Sequence, residues 1–359
     1  MELYNRRIEK VRCEMKSSGL DQLMITDSKS IYYLTGIEVF AFERFWAFLL
    51  CGDGRNILFA NKLFALGETG FETVTFVDTD NVSEVTAPYI SGGSMGVDKN
   101  MPARFLLPMM EKNSGVEFSL GSDCVDNVRA CKDEAEKVLM REASRINDLC
   151  IEKAAAFVHD GVTEKECADY ILRCFDECGC EGPSFAPIVS FGANAADPHH
   201  EPDDTVIKEG DCVVIDMGCK YKGYCSDMTR TYFWKKADPK YASIYETVRE
   251  ANEKAESLVK AGVCLCDLDL AARNHISNSG YGEYFTHRLG HFIGLEEHEK
   301  GDVSSVNTAK AKSGMVFSIE PGVYLSGEFG VRIEDLVLVT DDGCEILNLV
   351  SKEIKILGL

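Results

Sequence analysis

Beyond residue 129 the sequence runs through one order of patterns twice, and that repetition restricts the fold more than any other feature. A long amphipathic segment, KDEAEKVLMREASRINDLCIEKAAAFVHDG, opens with acidic residues and closes at Gly161, as the two ends of a helix should. A second helical pattern follows Thr163, where TEKE offers a capping box. Two apolar strand runs come next, DCVVIDMG and YCSDMTRTYFW. The order then starts again. ASIYETVREANEKAESLVKAG and CDLDLAARNHISNSG read as helices, GMVFSIE and GVRIEDLVLVT as strands. Two helices and a strand pair, repeated, predict an internally duplicated α+β domain over 129–359.

Residues 1–128 are patterned differently. A helix-like start over 4–18 leads to the strand runs LMITD, WAFLLC, NILFA and TVTFVD, with short helical segments between them and Gly or Asp at the joins. This predicts a separate α/β domain, and a chain of 359 residues is long enough for two.

The charge narrows the partners. With 59 acidic against 38 basic residues the net charge is −21, which repels nucleic acid and anionic membrane alike. No window of 18 apolar residues is present, and the charged N-terminal segment lacks the apolar run of a secretory signal. Fifteen cysteines, an odd number, then read as reduced thiols of a cytoplasmic protein rather than a disulfide framework. Cys174, Cys178 and Cys180 lack a CxxC pair, so helical spacing explains them better than a zinc knuckle does.

The chemistry lies in acids that interrupt apolar strands. If IDMGCKYKGYCSD folds back about Tyr221 and Lys222, Asp216 falls opposite Asp227 with Cβ atoms about 4.5–5.5 Å apart. Each partly buried carboxylate costs on the order of several kcal/mol unless neutralised. Either one keeps a proton or a cation lies between them. Glu320 and Glu334 can face one another in the same way around a Gly327 loop, and Arg332 shares the face of Glu334 by the two-residue strand period. Any one of these acids alone would be read as part of a solvated strand face. Their matching places in both halves favour a site.

Histidines complete the set. THRLGHFIGLEEHE carries His287, His291 and His298, with Gly290 and Gly294 free to turn the backbone and gather the rings. Four carboxylates and one imidazole suit two divalent ions bridged by water or hydroxide: manganese, iron or cobalt, with zinc also allowed. The loop SFGANAADPHHEP presents His199 and His200, and a histidine there can donate to a substrate carbonyl or a developing oxyanion. His159 and His275 read as structural.

Taken in order, Asp216, Asp227, HRLGHFIGLEEHE, IEPG and VRIED resemble the pita-bread metallopeptidases, above all the Xaa-Pro dipeptidases (prolidases) and aminopeptidases P. The likeness spans essentially the whole chain, since DSKSIYYLTGI looks like the creatinase-type N-terminal domain of that family. It implies that two metal ions, manganese first, are held by Asp216, Asp227, His291, Glu320 and Glu334, with Asp227 and Glu334 bridging. It implies that His199 contacts substrate near the scissile bond, that His298 stabilises the tetrahedral intermediate and that Glu320 doubles as a proton shuttle. Arg332 would lie near the far end of the substrate, and His287 would support the ligands. The expected reaction is hydrolysis, by a metal-bridging hydroxide, of the bond between an N-terminal residue and a following proline, in a homodimer. Two features depart from the family pattern: the aromatic segment FAFERFWAF, and His200, where a small residue is common. Creatinase shares the fold without metals, methionine aminopeptidases usually lack the first domain, and histone-binding relatives lose the ligands. The five-ligand set and the N-terminal domain set this chain apart from all three.

Overall fold

In the computed structural model, which describes residues 2–359, the chain divides between Arg129 and Ala130. The first unit contains helices α1 (Glu2–Ser17), α2 (Ser28–Thr35), α3 (Val82–Thr86), α4 (Ala103–Lys112) and α5 (Asp123–Ala130). Its strands β1 (Gln22–Ile25), β2 (Ala47–Cys51), β3 (Asn56–Asn61), β4 (Glu72–Phe76), β5 (Gly93–Val97) and β6 (Val116–Leu120) form one sheet in the order β4-β3-β2-β1-β5-β6. The middle strands β1 and β2 are buried along their whole length, which is why they read as unbroken apolar runs. Met24, Leu49, Ile57, Phe59 and Met95 build its core. Strands β5 and β6 escape sequence reading: GSMGV holds two glycines and VEFSL is mostly solvent-facing, so neither carries a strong strand pattern.

In the second unit α6 (Glu134–Phe157) and α7 (Glu164–Glu177) lead into β7 (Ile188–Phe191), β8 (Cys212–Met217), β9 (Lys220–Tyr221), β10 (Tyr224–Cys225) and β11 (Met228–Trp234). Helices α8 (Pro239–Glu256) and α9 (Leu265–Asn278) then lead into β12 (Gly290–Phe292), β13 (Glu299–Val303), β14 (Val316–Ile319), β15 (Gly322–Leu325), β16 (Phe329–Arg332), β17 (Asp335–Val339), β18 (Cys344–Ile346) and β19 (Ile356–Leu357). Capping boxes open both helices of the first half, Asp133 with Glu136 and Thr163 with Glu166. The first of them stops at Phe157, short of Gly161. The duplicated order is thus present: helix, helix, sheet, twice.

Each half builds its own sheet, β11-β8-β7 in the first, with the C-terminal β19 added at the β11 edge, and β13-β12-β14-β17-β18 in the second. Ile146, Ile151, Ile171 and Phe175 from α6 and α7 pack with Val213 and Ile215 of β8. Val248, Ala251, Leu268 and Ala272 from α8 and α9 pack with Phe317, Ile319 and Val337 of the second sheet. Each large buried side chain contributes about 1.5–3 kcal/mol. Cys174 lies in the first of these cores, in keeping with helical spacing. Along β8 the side chains alternate: Val213, Ile215 and Met217 face the α6–α7 core, whereas Cys212 and Val214 join the other cluster. Asp216 shares the parity of Cys212 and Val214, so it points away from α6 and α7. Among the described residues no helix is long and apolar enough to cross a membrane.

Candidate metal centre

The first acid pair is placed by a hairpin whose register differs from the expected one. Strands β8 and β11 pair Asp216 with Thr229, and β9 and β10 pair Tyr221 with Tyr224. The chain therefore folds back about Lys222 and Gly223, one residue later than expected, and Asp227 does not lie directly opposite Asp216. Lys222 (φ 48°) and Gly223 (φ 83°) both have positive φ, the conformation a two-residue hairpin turn requires. The slip moves the pairing by two positions, so Asp227 keeps the face of Asp216, one step along the diagonal. The strands pinch beside it. A Cβ on Gly218 would stand 2.0 Å from the Ser226 carbonyl oxygen, so only glycine fits. Both aspartates end up buried.

The second pair has the expected register. Ile319 lies opposite Asp335 and Gly322 opposite Arg332, which puts Glu320 opposite Glu334. Glu334 ties the halves together, because its backbone N–H donates to the Thr229 carbonyl at 3.1 Å. His291 comes from β12, and its N–H donates to Ser318 Oγ at 3.0 Å. A Cβ on the preceding Gly290 would stand 1.9 Å from the Ser318 carbonyl oxygen.

The five side chains line one cavity of about 290 Å³. His291 Nε2 is 3.4 Å from Asp227 Oδ2 and 3.7 Å from Glu320 Oε1. One ligand atom each from Asp227, His291 and Glu334 lies within 4.8 Å of the others. His291 Nδ1 faces the Phe292 carbonyl at 3.3 Å, and a carbonyl can only accept, so Nδ1 is the donor there and Nε2 is the nitrogen turned toward the acids. Oδ1 of Asp216 and Oδ1 of Asp227 are buried without a hydrogen-bond partner. Burial first, and then neighbouring carboxylates, push Asp227 and Glu334 well above the usual carboxylate range. Burial likewise lifts Glu320 to about 7. Unshared lone pairs on buried oxygens and one imidazole nitrogen, all aimed at one volume, are a donor set that fits divalent cations.

The remaining predicted residues surround the same cavity. His199, His287, His298 and Arg332 all line it, and the His298 ring lies 4.0 Å from that of His291, centroid to centroid. Arg332 is spoken for: Nη2 reaches Asp216 Oδ2 at 2.5 Å, Nε reaches Thr229 Oγ1 at 3.0 Å, and Nη1 reaches Tyr324 OH at 3.1 Å and the Pro198 carbonyl at 3.3 Å. His287 donates from Nδ1 to the Arg288 carbonyl at 2.7 Å and accepts from Tyr324 OH at Nε2, 2.9 Å away. Burial lowers His287 to about 4, so its ring is neutral at neutral pH, and partial desolvation with the neighbouring His291 lowers the more exposed His298 in the same direction. His200, His159 and His275 lie outside the cavity lining.

Sequence reading missed several lining and supporting groups. Thr229 shares the parity of Asp227, so the strand period alone could have singled it out. Glu297, in LEEHE, lines the cavity as a further carboxylate. Phe185 and Ile188 form an apolar wall, and Tyr324 links His287 to Arg332. Nothing in an apolar strand such as GVYL distinguishes that tyrosine.

Known proteins resemble this chain over nearly its whole length. The model of metallopeptidase family M24 matches residues 138–341, and that of the creatinase/prolidase N-terminal domain matches residues 7–131. An uncharacterized peptidase of Staphylococcus aureus is 38% identical over 353 residues, covering 96% of this chain and 99% of its own. The crystal structure of a dipeptidase from Pyrococcus horikoshii OT3 superposes with a TM-score of 0.91 at 35% identity, covering 98% of this chain and 100% of its own. Recombinant prolidase from Thermococcus sibiricus gives 0.91 at 34% identity, covering 99% of each chain. The fold is that of a creatinase-type N-terminal domain followed by a pita-bread catalytic domain.

Proposed function

Since this chain belongs to metallopeptidase family M24, we propose that it hydrolyses the bond between an N-terminal residue and a following proline. The observation that carries this reading is the convergence of Asp227, His291 and Glu334 on one point, with Asp216 and Glu320 beside them. Asp216, Asp227, His291, Glu320 and Glu334 would hold two divalent ions, manganese in the first instance, with cobalt, iron or zinc as alternatives. When bound, such ions polarise a carbonyl and lower the pKa of water.

The chain's own groups do the rest. Glu320, which lines the cavity beside the other acids, is placed to take a proton from the nucleophile and return it to the leaving nitrogen. His298 and His199, which both line the cavity, can donate to a developing oxyanion. Arg332 fixes Asp216 and, through Tyr324, orients His287. Phe185, Ile188 and Pro198 offer an apolar wall to a pyrrolidine ring, which has no N–H to satisfy. The likeness to a prolidase and a dipeptidase supports the same substrate class. The reading includes a cytoplasmic homodimer, and an odd count of fifteen cysteines suits a reducing compartment. At a net charge of −21, neither nucleic acid nor membrane is a partner.

The deciding experiment strips the protein of metal, reloads it with Mn or Co and compares Ala-Pro, Ala-Pro-Xaa and Ala-Ala peptides. Cleavage confined to proline-containing substrates and dependent on reloading is expected. Undiminished activity in the stripped protein would end the proposal.

A further inference from the structure

His200 turns away from the cavity that its neighbour His199 lines, and its partner explains why. Its Nε2 donates to Oε2 of Glu164 at 2.7 Å, and the Glu164 side chain is fully buried at the first turn of α7. The same carboxylate gathers the rest of the loop. Oε1 accepts from the Phe191 N–H at 2.6 Å and from Asn194 Nδ2 at 3.0 Å, and Oε2 accepts from the Asp203 N–H at 3.2 Å as well. Four donors, spread from the entry of the loop to its exit, thus converge on one side chain. The α7 N-terminus adds two more ties, Glu164 N–H to the Thr205 carbonyl at 3.2 Å and Lys165 N–H to the Asp203 carbonyl at 3.1 Å. Between these anchors, Pro198 and His199 face the cavity, and the Pro198 carbonyl accepts from Arg332.

Glu164, His200 and Asp203 stand close enough to resemble a cation site, with ligand atoms within 4.8 Å of one another. The hydrogen bonds argue otherwise. A carboxylate has about four acceptor positions, and protein donors fill all four here. Burial raises the Glu164 carboxyl above its usual range, and the donors from Phe191, His200, Asn194 and Asp203 work against that rise.

We propose that Glu164 and His200 form a clamp that holds the 191–205 loop in place and thereby positions His199 over the metal centre. The clamp rests on the peptidase reading for its effect on turnover, but its effect on the loop does not. His200 is a positioning residue that acts through His199. Displacing a catalytic group by about 1 Å costs up to about 100-fold in rate.

The test combines a double-mutant cycle with hydrogen exchange on the Mn-loaded full chain. His200→Ala should lower kcat about 10- to 100-fold on an Ala-Pro peptide, with KM within about twofold. His200→Gln, whose amide can still donate to Glu164, should restore most of that loss. In a His199→Ala background, His200→Ala should cost nothing further, because the group it positions is gone. Amides of the 191–205 loop should exchange faster in His200→Ala while those of β8 and β14 stay unchanged. Wild-type kcat in His200→Ala, effects that multiply in the double variant, or unchanged loop exchange would each overturn the clamp. If the wild-type protein cleaves no Xaa-Pro peptide, the proposed function falls, and the exchange measurement still decides whether the clamp exists.

Discussion

Thr229 Oγ1 donates to Oε2 of Glu334 at 2.7 Å, and the same hydroxyl oxygen accepts from Arg332 Nε at 3.0 Å. A residue of the first half thus aims a carboxylate of the second. Thr229→Val keeps the shape and removes both bonds. Outer-shell losses of this kind weaken metal binding about 10- to 100-fold. Calorimetric titration of Mn into stripped protein should give that decrease, and unchanged affinity would mean that Glu334 needs no such guide.

Asp227→Asn removes a charge that has no hydrogen-bond partner at Oδ1. Turnover should fall by about 1000-fold or more, equivalent to about 4 kcal/mol of barrier. The fold should survive, because asparagine is isosteric and in metal-free protein the aspartate is already pushed toward its protonated form. Calorimetry should show the metal-free melting temperature kept and the metal-induced rise lost.

Stability without metal should depend on pH through Glu320, whose folded-state value of about 7 lies above its ordinary 4.5. The folded state binds the proton more tightly, so this contribution is fully present below 4.5 and disappears as pH rises through 7. Chemical denaturation of metal-free protein should therefore show wild type losing stability relative to Glu320→Gln across that window. A flat difference would mean that Glu320 is as acidic in the folded chain as in the unfolded one.

Gly290→Ala should be severely destabilising, since its Cβ would meet the Ser318 carbonyl oxygen at 1.9 Å and a paired backbone cannot step aside. A loss of about 3 kcal/mol or more is expected from overpacking of this degree, read as a lower urea midpoint.

The acids were legible because strands are poor places for lone charges. Asp216, Asp227, Glu320 and Glu334 each break an apolar run, and parity alone put each pair on one face. The turn was not. The centre of the first hairpin hinged on whether Tyr221–Lys222 or Lys222–Gly223 supplied two positive φ values, and the glycine, which adopts one at no cost, was the available signal. Strands β12 and β13 hid in a glycine-rich run because β12 spans only three residues, too few for a period to register. The tie between Glu164 and His200 joins positions 36 apart, and no local pattern could announce it.

Asp216 and Asp227 belong to the first repeat, while His291, Glu320 and Glu334 belong to the second, so on the proposed ligand set neither repeat would bind the ions alone. Capturing ions there would also clasp the repeats together, and a chain severed in the connector ahead of α8 would regain chemistry only by its fragments finding one another again. In such a split protein, affinity between the fragments would rise with metal concentration, making reassembly itself a gauge of the bound ions.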